Sequence, residues 1–225
     1  MANELNPLWA LTGLFAVLYV AFFLFGSLGS ITNRLHRWRR VGTLEHVFLP
    51  RATIAHDLAP KLRTFLPARP TIYVTAGDGH PLTTGKIYPW SEFIREALEH
   101  GSKIYYIVAN ADARDRALLL KAASKLIPRN GGEFNLCFLN PRSPNQEERQ
   151  LADTFCTFHV VLVEAGTTRA MWIEAYHPKD STVAYGCEFV PPELAATDPR
   201  YDEYKAVLIR IVADYEARQR SPKAA

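Results

Sequence analysis

Between Pro7 and Leu28 the sequence has no Asp, Glu, Lys, Arg or His. A polar stripe is missing as well, since only Thr12, Tyr19 and Ser27 interrupt the run PLWALTGLFAVLYVAFFLFGSL. A globular core helix would carry a polar face, and a secretory leader would need positive charge before the run and small residues after it. Here Glu4 is the one charged residue of the leader, and Phe22, Phe23 and Phe25 occupy the place of a cleavage site. A helix of this length crosses a hydrocarbon core of ~30 Å. The run is therefore read as one transmembrane helix over 7–29, with Asn6 as cap and Pro7 in the first turn.

Further absences narrow the rest of the chain. Net charge is only +3, and much of it sits in Arg34, Arg37, Arg39 and Arg40, so no broad basic surface is left for duplex DNA. The three cysteines, Cys137, Cys156 and Cys187, are odd in number and set in apolar stretches, which suits core residues of a reducing compartment. No Cys/His spacing fits a metal, and no Walker loop, dinucleotide fingerprint or nucleophile elbow occurs. Catalytic residues, metal ligands and cofactors are accordingly assigned to none. The basic flank places the N-terminus outside and everything after residue 30 in the cytoplasm, as a single-pass protein of an inner membrane. Gly26, Gly29 and Ser30 give small residues at which helices could approach, but small residues are common in spans, and the expectation of a homo-oligomer comes from the resemblance given below.

What is present after the span is an alternation of periods. Residues 30–69 read as a basic juxtamembrane segment and connector with a short helix near 53–65, and residues 70–220 as one cytoplasmic domain. TIYVT, KIYYIVAN, FNLCFLN and FHVVLVE read as strands separated by helices. Asp112 is placed as the cap of the second of these helices, and Gly101 just past the end of the first. TRAMWIEAYHP and TVAYGCEFV then read as a hairpin, and Asp198-Pro199 starts a closing helix. That order predicts an α/β fold: a Rossmann-like, mainly parallel sheet with an antiparallel edge hairpin and helices on both faces. Ligands of such sheets bind beyond the carboxyl ends of the strands.

Two loops attract attention on that logic. The first runs from Gly77 to Lys86 and offers Gly77, Asp78, Gly79, Thr83, Thr84 and Lys86. The second is Gly166-Thr167-Thr168-Arg169. Glycines allow close backbone approach, and hydroxyls with a cation suit a phosphate-bearing polyanion. The first could equally be a plain flexible loop, and the second an ordinary hairpin turn. Asn110 and Arg142 would border the same crevice.

Gly166-Thr167-Thr168-Arg169-x-Met171 after an apolar strand resembles the Gly-Gly-Thr-Lys-x-Met signature of CARF domains, the CRISPR-associated Rossmann-like sensors. Thr167 stands for a glycine and Arg169 for a lysine. The resemblance implies a dimer that clasps a cyclic oligoadenylate, most plausibly the tetra-adenylate, between both loops. With the span, it implies a membrane effector of type III CRISPR antiviral defence that alters membrane permeability or potential. A second resemblance competes with it. Phe158-His159-Val160-Val161 followed by Met171-Trp172-Ile173-Glu174 is similar to one half of the phospholipase D-like fold. That family's His-x-Lys motif uses the histidine as nucleophile and the lysine to hold phosphate. Val161 breaks it, which implies a degenerate phosphodiesterase-type protein whose site a dimer of domains would complete. Glu164 and Glu174 are expected to face each other across the hairpin.

Overall fold

In the computed structural model the described residues are 43–46, 51–77, 82, 88–126, 131–177 and 180–220. The proposed span over 7–29, the arginines that follow it, and Asp78, Gly79, Thr83, Thr84 and Lys86 lie outside them. Among the described residues no helix is long and apolar enough to cross a membrane.

Strand β1 (Thr43–His46) is followed by helix α1 (Arg51–Arg63), and a 3-10 turn (Leu66–Ala68) leads to β2 (Thr71–Ala76). Helix α2 (Tyr88–Glu99), β3 (Lys103–Val108), α3 (Ala113–Leu126), β4 (Glu133–Phe138) and α4 (Gln146–Phe155) come next. Then follow β5 (Phe158–Ala165), β6 (Thr168–His177), β7 (Asp180–Val190), a single-turn helix α5 (Pro192–Ala195) and the 22-residue α6 (Pro199–Arg220). All seven strands join one sheet in the order β1-β7-β6-β5-β2-β3-β4.

Local chemistry accounts for most boundaries. Asp112 Oδ1 accepts the Asp115 amide at 2.8 Å and starts α3, and Asn145 Oδ1 accepts the Glu147 amide at 2.9 Å and starts α4. Helix α2 stops at Gly101, whose φ of 83° admits the paired bonds Gly101 N–H to Leu98 O and Ser102 N–H to Ala97 O. Asp198 receives the Arg200 amide at 3.0 Å and opens α6.

The sheet is covered on both faces, as the near-continuous apolar strands require. Along β2 and β5 alternate residues diverge. Ile72, Val74, Val161 and Val163 meet α1, α2 and α3 through Leu58, Leu62, Phe93, Leu98 and Leu119. Tyr73, Val160 and Leu162 meet α4 and α6 through Ala152, Phe155, Tyr201, Leu208 and Ile211. The segment read as connector thus belongs in part to the domain: β1 pairs with β7, and α1 supplies Leu58 and Leu62 to the core. Cys137 and Cys187 are buried and all three cysteines are free; burial pushes the Cys137 thiol up to about 12, so it packs as a neutral core group.

The α/β class, the parallel β2-β3-β4 half and the β6-β7 hairpin agree with the sequence expectation, but four of the six strand pairings are antiparallel and the hairpin is not at the edge, because β1 pairs with β7. The direction of β5 differs, because it pairs antiparallel with β2. Strand β5 therefore begins at the end of the sheet where β4 finished.

An acid buried between α4 and α6 gives a pH test. Burial pushes Glu148 up, but hydrogen bonds from Ser143, Arg218 and the Asn140 amide outweigh that and hold it below its ordinary value. A depressed folded-state pKa adds stability above the unfolded-state value of ~4.3, and the contribution fades as pH falls through the folded value. Glu148→Gln is expected to lower unfolding free energy at neutral pH by about 1–3 kcal/mol, the worth of a hydrogen bond to a charged group. Urea titrations at successive pH values should show that difference shrinking below about pH 4.

Candidate functional site

The antiparallel placement of β5 brings its first residues beside the carboxyl ends of β2 and β3. Gly77, just after β2, donates its N–H to His159 Nε2 at 3.0 Å. The Gly77 carbonyl accepts the Asn110 N–H at 2.7 Å, which ties the ends of β2 and β3 together. Two residues earlier, the Thr75 hydroxyl accepts the Val160 N–H at 2.8 Å. His159 is buried, with 6% of its surface exposed, and lies directly across the β5-β6 ladder from Glu174, which is 1% exposed. His159 Nδ1 stands 3.9 Å from Glu174 Oε2.

This geometry assigns the ring's proton. A backbone amide only donates, so Nε2 must present its lone pair, and the neutral imidazole then carries its hydrogen on Nδ1, toward the carboxylate. A carboxylate behind an imidazole is how enzymes orient a histidine base or nucleophile. Here the nitrogen that would do that chemistry is engaged by Gly77. Two residues on, Val161 is 1% exposed and packs within the α1–α3 face of the core. On the same face Trp172 donates its indole N–H to Cys187 Sγ and meets Trp90 edge-on at 5.6 Å. The strand therefore sets an apolar floor under the His159–Glu174 pair, and it offers no cation there. Among the described residues no group of His, Cys, Asp and Glu side chains is arranged to hold a metal ion.

Arg142 stands on the turn beyond β4, exposed, with its N–H on Asn140 Oδ1 at 3.0 Å. Gly77, Asn110 and Arg142 thus share the carboxyl end of the parallel strands with His159.

Gly166, Thr167, Thr168 and Arg169 do not. The β2-β5 register pairs Thr71 with Glu164 and Val74 with Val161. Gly166 therefore lies beyond the start of β2, while Gly77 lies beyond its end. The two are separated by the length of a six-residue strand, about 20 Å. Of the first loop only Gly77 and Leu82 are among the described residues, and the reversed direction of β5 sets Gly77 and Gly166 at opposite ends of β2.

The second loop is a hairpin turn. Gly166 and Thr167 connect the pair Ala165–Thr168, and Gly166 has φ 63° while Thr167 is not among the positive-φ residues. That combination is the type II′ turn, with glycine at its first central position. Arg169 is held in place: its guanidinium bonds Asp202 Oδ1 at 3.0 Å and lies 5.1 Å over the Tyr201 ring. The same register corrects one more expectation. Glu164 is opposite Arg169, and Glu174 is opposite His159, so the two glutamates do not face each other.

Sequence reasoning considered His159 and Glu174 but missed Thr75 and the main-chain role of Gly77. The available signal was the two-residue turn, since a Gly166-Thr167 turn by itself fixes His159 opposite Glu174. Comparison of the chain with family models, with curated proteins and with solved structures finds no match in any of the three.

His159→Ala removes the group that both the Gly77 amide and the Glu174 carboxylate face, in a buried place. A loss of about 2–4 kcal/mol is expected from the lost hydrogen bond and the cavity. Arg169→Ala, an exposed pair, should cost under about 1 kcal/mol. Denaturant midpoints of the two variants check the ranking, and equal midpoints would contradict the site as described.

Proposed function

We propose that the chain is a membrane-anchored protein whose cytoplasmic domain is a phospholipase D-like half that binds phosphate esters and does not hydrolyse them. The observation that carries the reading is the position of His159. It sits at the amino end of an antiparallel strand, in line with the carboxyl ends of three parallel ones, with Glu174 behind Nδ1 and a backbone amide on Nε2. The first part of that arrangement is what a histidine-based phosphoryl-transfer site needs. The second part, together with Val161, takes away the nucleophile and the phosphate-holding cation. Gly77, Asn110 and Arg142 are the groups at this end that a phosphate ester would meet. The anchor rests on the uncharged run Pro7–Leu28 and the arginines after it.

A cyclic oligoadenylate sensor of type III CRISPR defence requires the two loops to close on one ligand. The placing of Gly77 and Gly166 at opposite ends of β2 weighs against that clasp, and the sensor is kept as one outcome of the test below.

Full-length protein in nanodiscs is the material for that test. Hydrolysis of bis(p-nitrophenyl) phosphate and of phosphatidylcholine should equal that of the His159→Ala variant. Calorimetry with dioctanoyl phosphatidic acid should show binding that Arg142→Ala weakens several-fold. Turnover abolished by His159→Ala would overturn the non-catalytic reading. Micromolar binding of cyclic tetra-adenylate, lost in both Arg142→Ala and Arg169→Ala, would restore the sensor in its place.

A further inference from the structure

Three arginines stand around the turn that follows β4, and their acceptors in the fold are carbonyls. Elsewhere arginines such as Arg63, Arg169 and Arg200 meet Glu96, Asp202 and Glu188. Arg116, near the start of α3, donates Nε–H to Ala111 O at 3.1 Å and Nη2–H to Leu139 O at 3.4 Å. Its guanidinium lies 5.2 Å over the Phe138 ring. Arg149, on α4, donates Nη1–H to Ser143 O at 2.6 Å and to Pro144 O at 3.3 Å. Arg142 is exposed on the turn between these two anchors. Among the described residues no carboxylate forms an ion pair with Arg116, Arg142 or Arg149.

A carbonyl fixes a guanidinium in place without cancelling its charge, whereas a carboxylate does both. The acids of the first turn of α4 do not cancel it either, because Glu147 is paired with Arg210 and Glu148 with Arg218. Asp112 and Asp115 stand at the start of α3, where Arg114 and Arg116 match them in number. Arg142 and Arg149 are then in excess. Helices α3 and α4 both begin at this corner, and their dipoles add to its positive potential.

The corner is also wider than one phosphate. The Ser143 N–H bonds Asn140 O at 3.0 Å and closes the turn. Leu139 and Ser143, which anchor the two held guanidiniums, are therefore at most about 11 Å apart, with Arg142 between them. Three cations spread along such a turn reach beyond the oxygens of a single phosphate, and planar guanidiniums are suited to phosphate oxygens. We infer that this corner binds a second phosphate group of the same ligand, so that the ester met by Gly77, Asn110 and Arg142 is a bis- or polyphosphate. The inference rests on the phosphate-ester reading of this end and names its ligand class. Arg116 and Arg149 are the added contacts, already oriented before the ligand arrives.

Calorimetry on the full-length protein in phosphatidylcholine nanodiscs tests it. Tripolyphosphate stands for a free ligand and dioctanoyl phosphatidylinositol bisphosphate for a lipid-borne one. At least one of them should bind about tenfold tighter than orthophosphate and dioctanoyl phosphatidic acid, since the second phosphate is engaged within the same complex. The tighter of the two names the source. Arg116→Gln and Arg149→Gln should each weaken that probe about three- to tenfold and leave phosphatidic acid binding within about twofold. Arg95→Gln is the charge control, because Arg95 lies on α2 beside Glu92 and Glu99; it should change nothing. Phosphatidic acid that binds as tightly as both probes overturns the inference while the phosphate-ester reading stands. Equal weakening by Arg95→Gln and Arg149→Gln also overturns it, as attraction without a site. Absence of binding by every probe removes both readings. The comparison of probes on wild-type protein decides the matter even if a variant fails to fold.

Discussion

The antiparallel ladder between β2 and β5 is the constraint on which the rest of this domain depends. Its four pairs, from Thr71–Glu164 to Val74–Val161, lie at the centre of a seven-stranded sheet and join its parallel half to its antiparallel half. Reversing β5 decides which residues share an end. His159 comes to Gly77, and Gly166 goes to the far side. It also lets β6 and β7 follow by short connections, so that Trp172 and Phe189 extend the face formed by Ile72 and Val74. Parallel and antiparallel pairs bury their side chains equally well. Strand composition does not distinguish the two.

Charge reinforces the packing of α6 on the second face. Four cations of this helix each find an acid from another element. Arg200 bonds both oxygens of Glu188 on β7 at 3.0 Å, and also Asp198. Lys205 reaches Glu164 on β5 at 2.7 Å, Arg218 reaches Glu148 on α4 at 2.8 Å, and Arg210 pairs with Glu147. Glu188 and Asp198 are nearly inaccessible, so their pairing with Arg200 offsets a desolvation penalty; removing one partner of such a buried pair typically costs about 3–5 kcal/mol. The exposed pair Arg169–Asp202 is of the other kind and contributes little. An arginine that looks like a ligand contact in the sequence is here one more stitch between the β5-β6 turn and α6.

The chemistry available at the carboxyl end follows from which atoms are already engaged. An imidazole that accepts a backbone N–H and faces a carboxylate through its other nitrogen is held in one tautomer and one orientation. It makes a rigid corner joining the ends of β2, β3 and β5. Rigidity of this kind suits recognition, whereas nucleophilic attack needs a free lone pair. Val161, two residues on from His159, completes the apolar layer with Val163 and Trp172.

Much of the architecture was legible in the residues. Asp112, Asn145, Asp198 and Gly101 mark helix ends through bonds made within a few residues, and the alternation in FHVVLVE and TRAMWIEA follows from the two-residue repeat of a strand. The turn at Gly166-Thr167 was also legible, because a two-residue hairpin needs a residue that tolerates positive φ. The direction of β5 was not, and it sets Gly77 and Gly166 at opposite ends of β2. Strand composition is the same whichever way a strand runs. The sequence by itself determined the elements, their caps and their buried faces, since each depends on contacts between near neighbours. Only the tertiary structure decided which ends lie together, because that depends on which strand each strand pairs with and in which direction, a long-range choice no local pattern encodes.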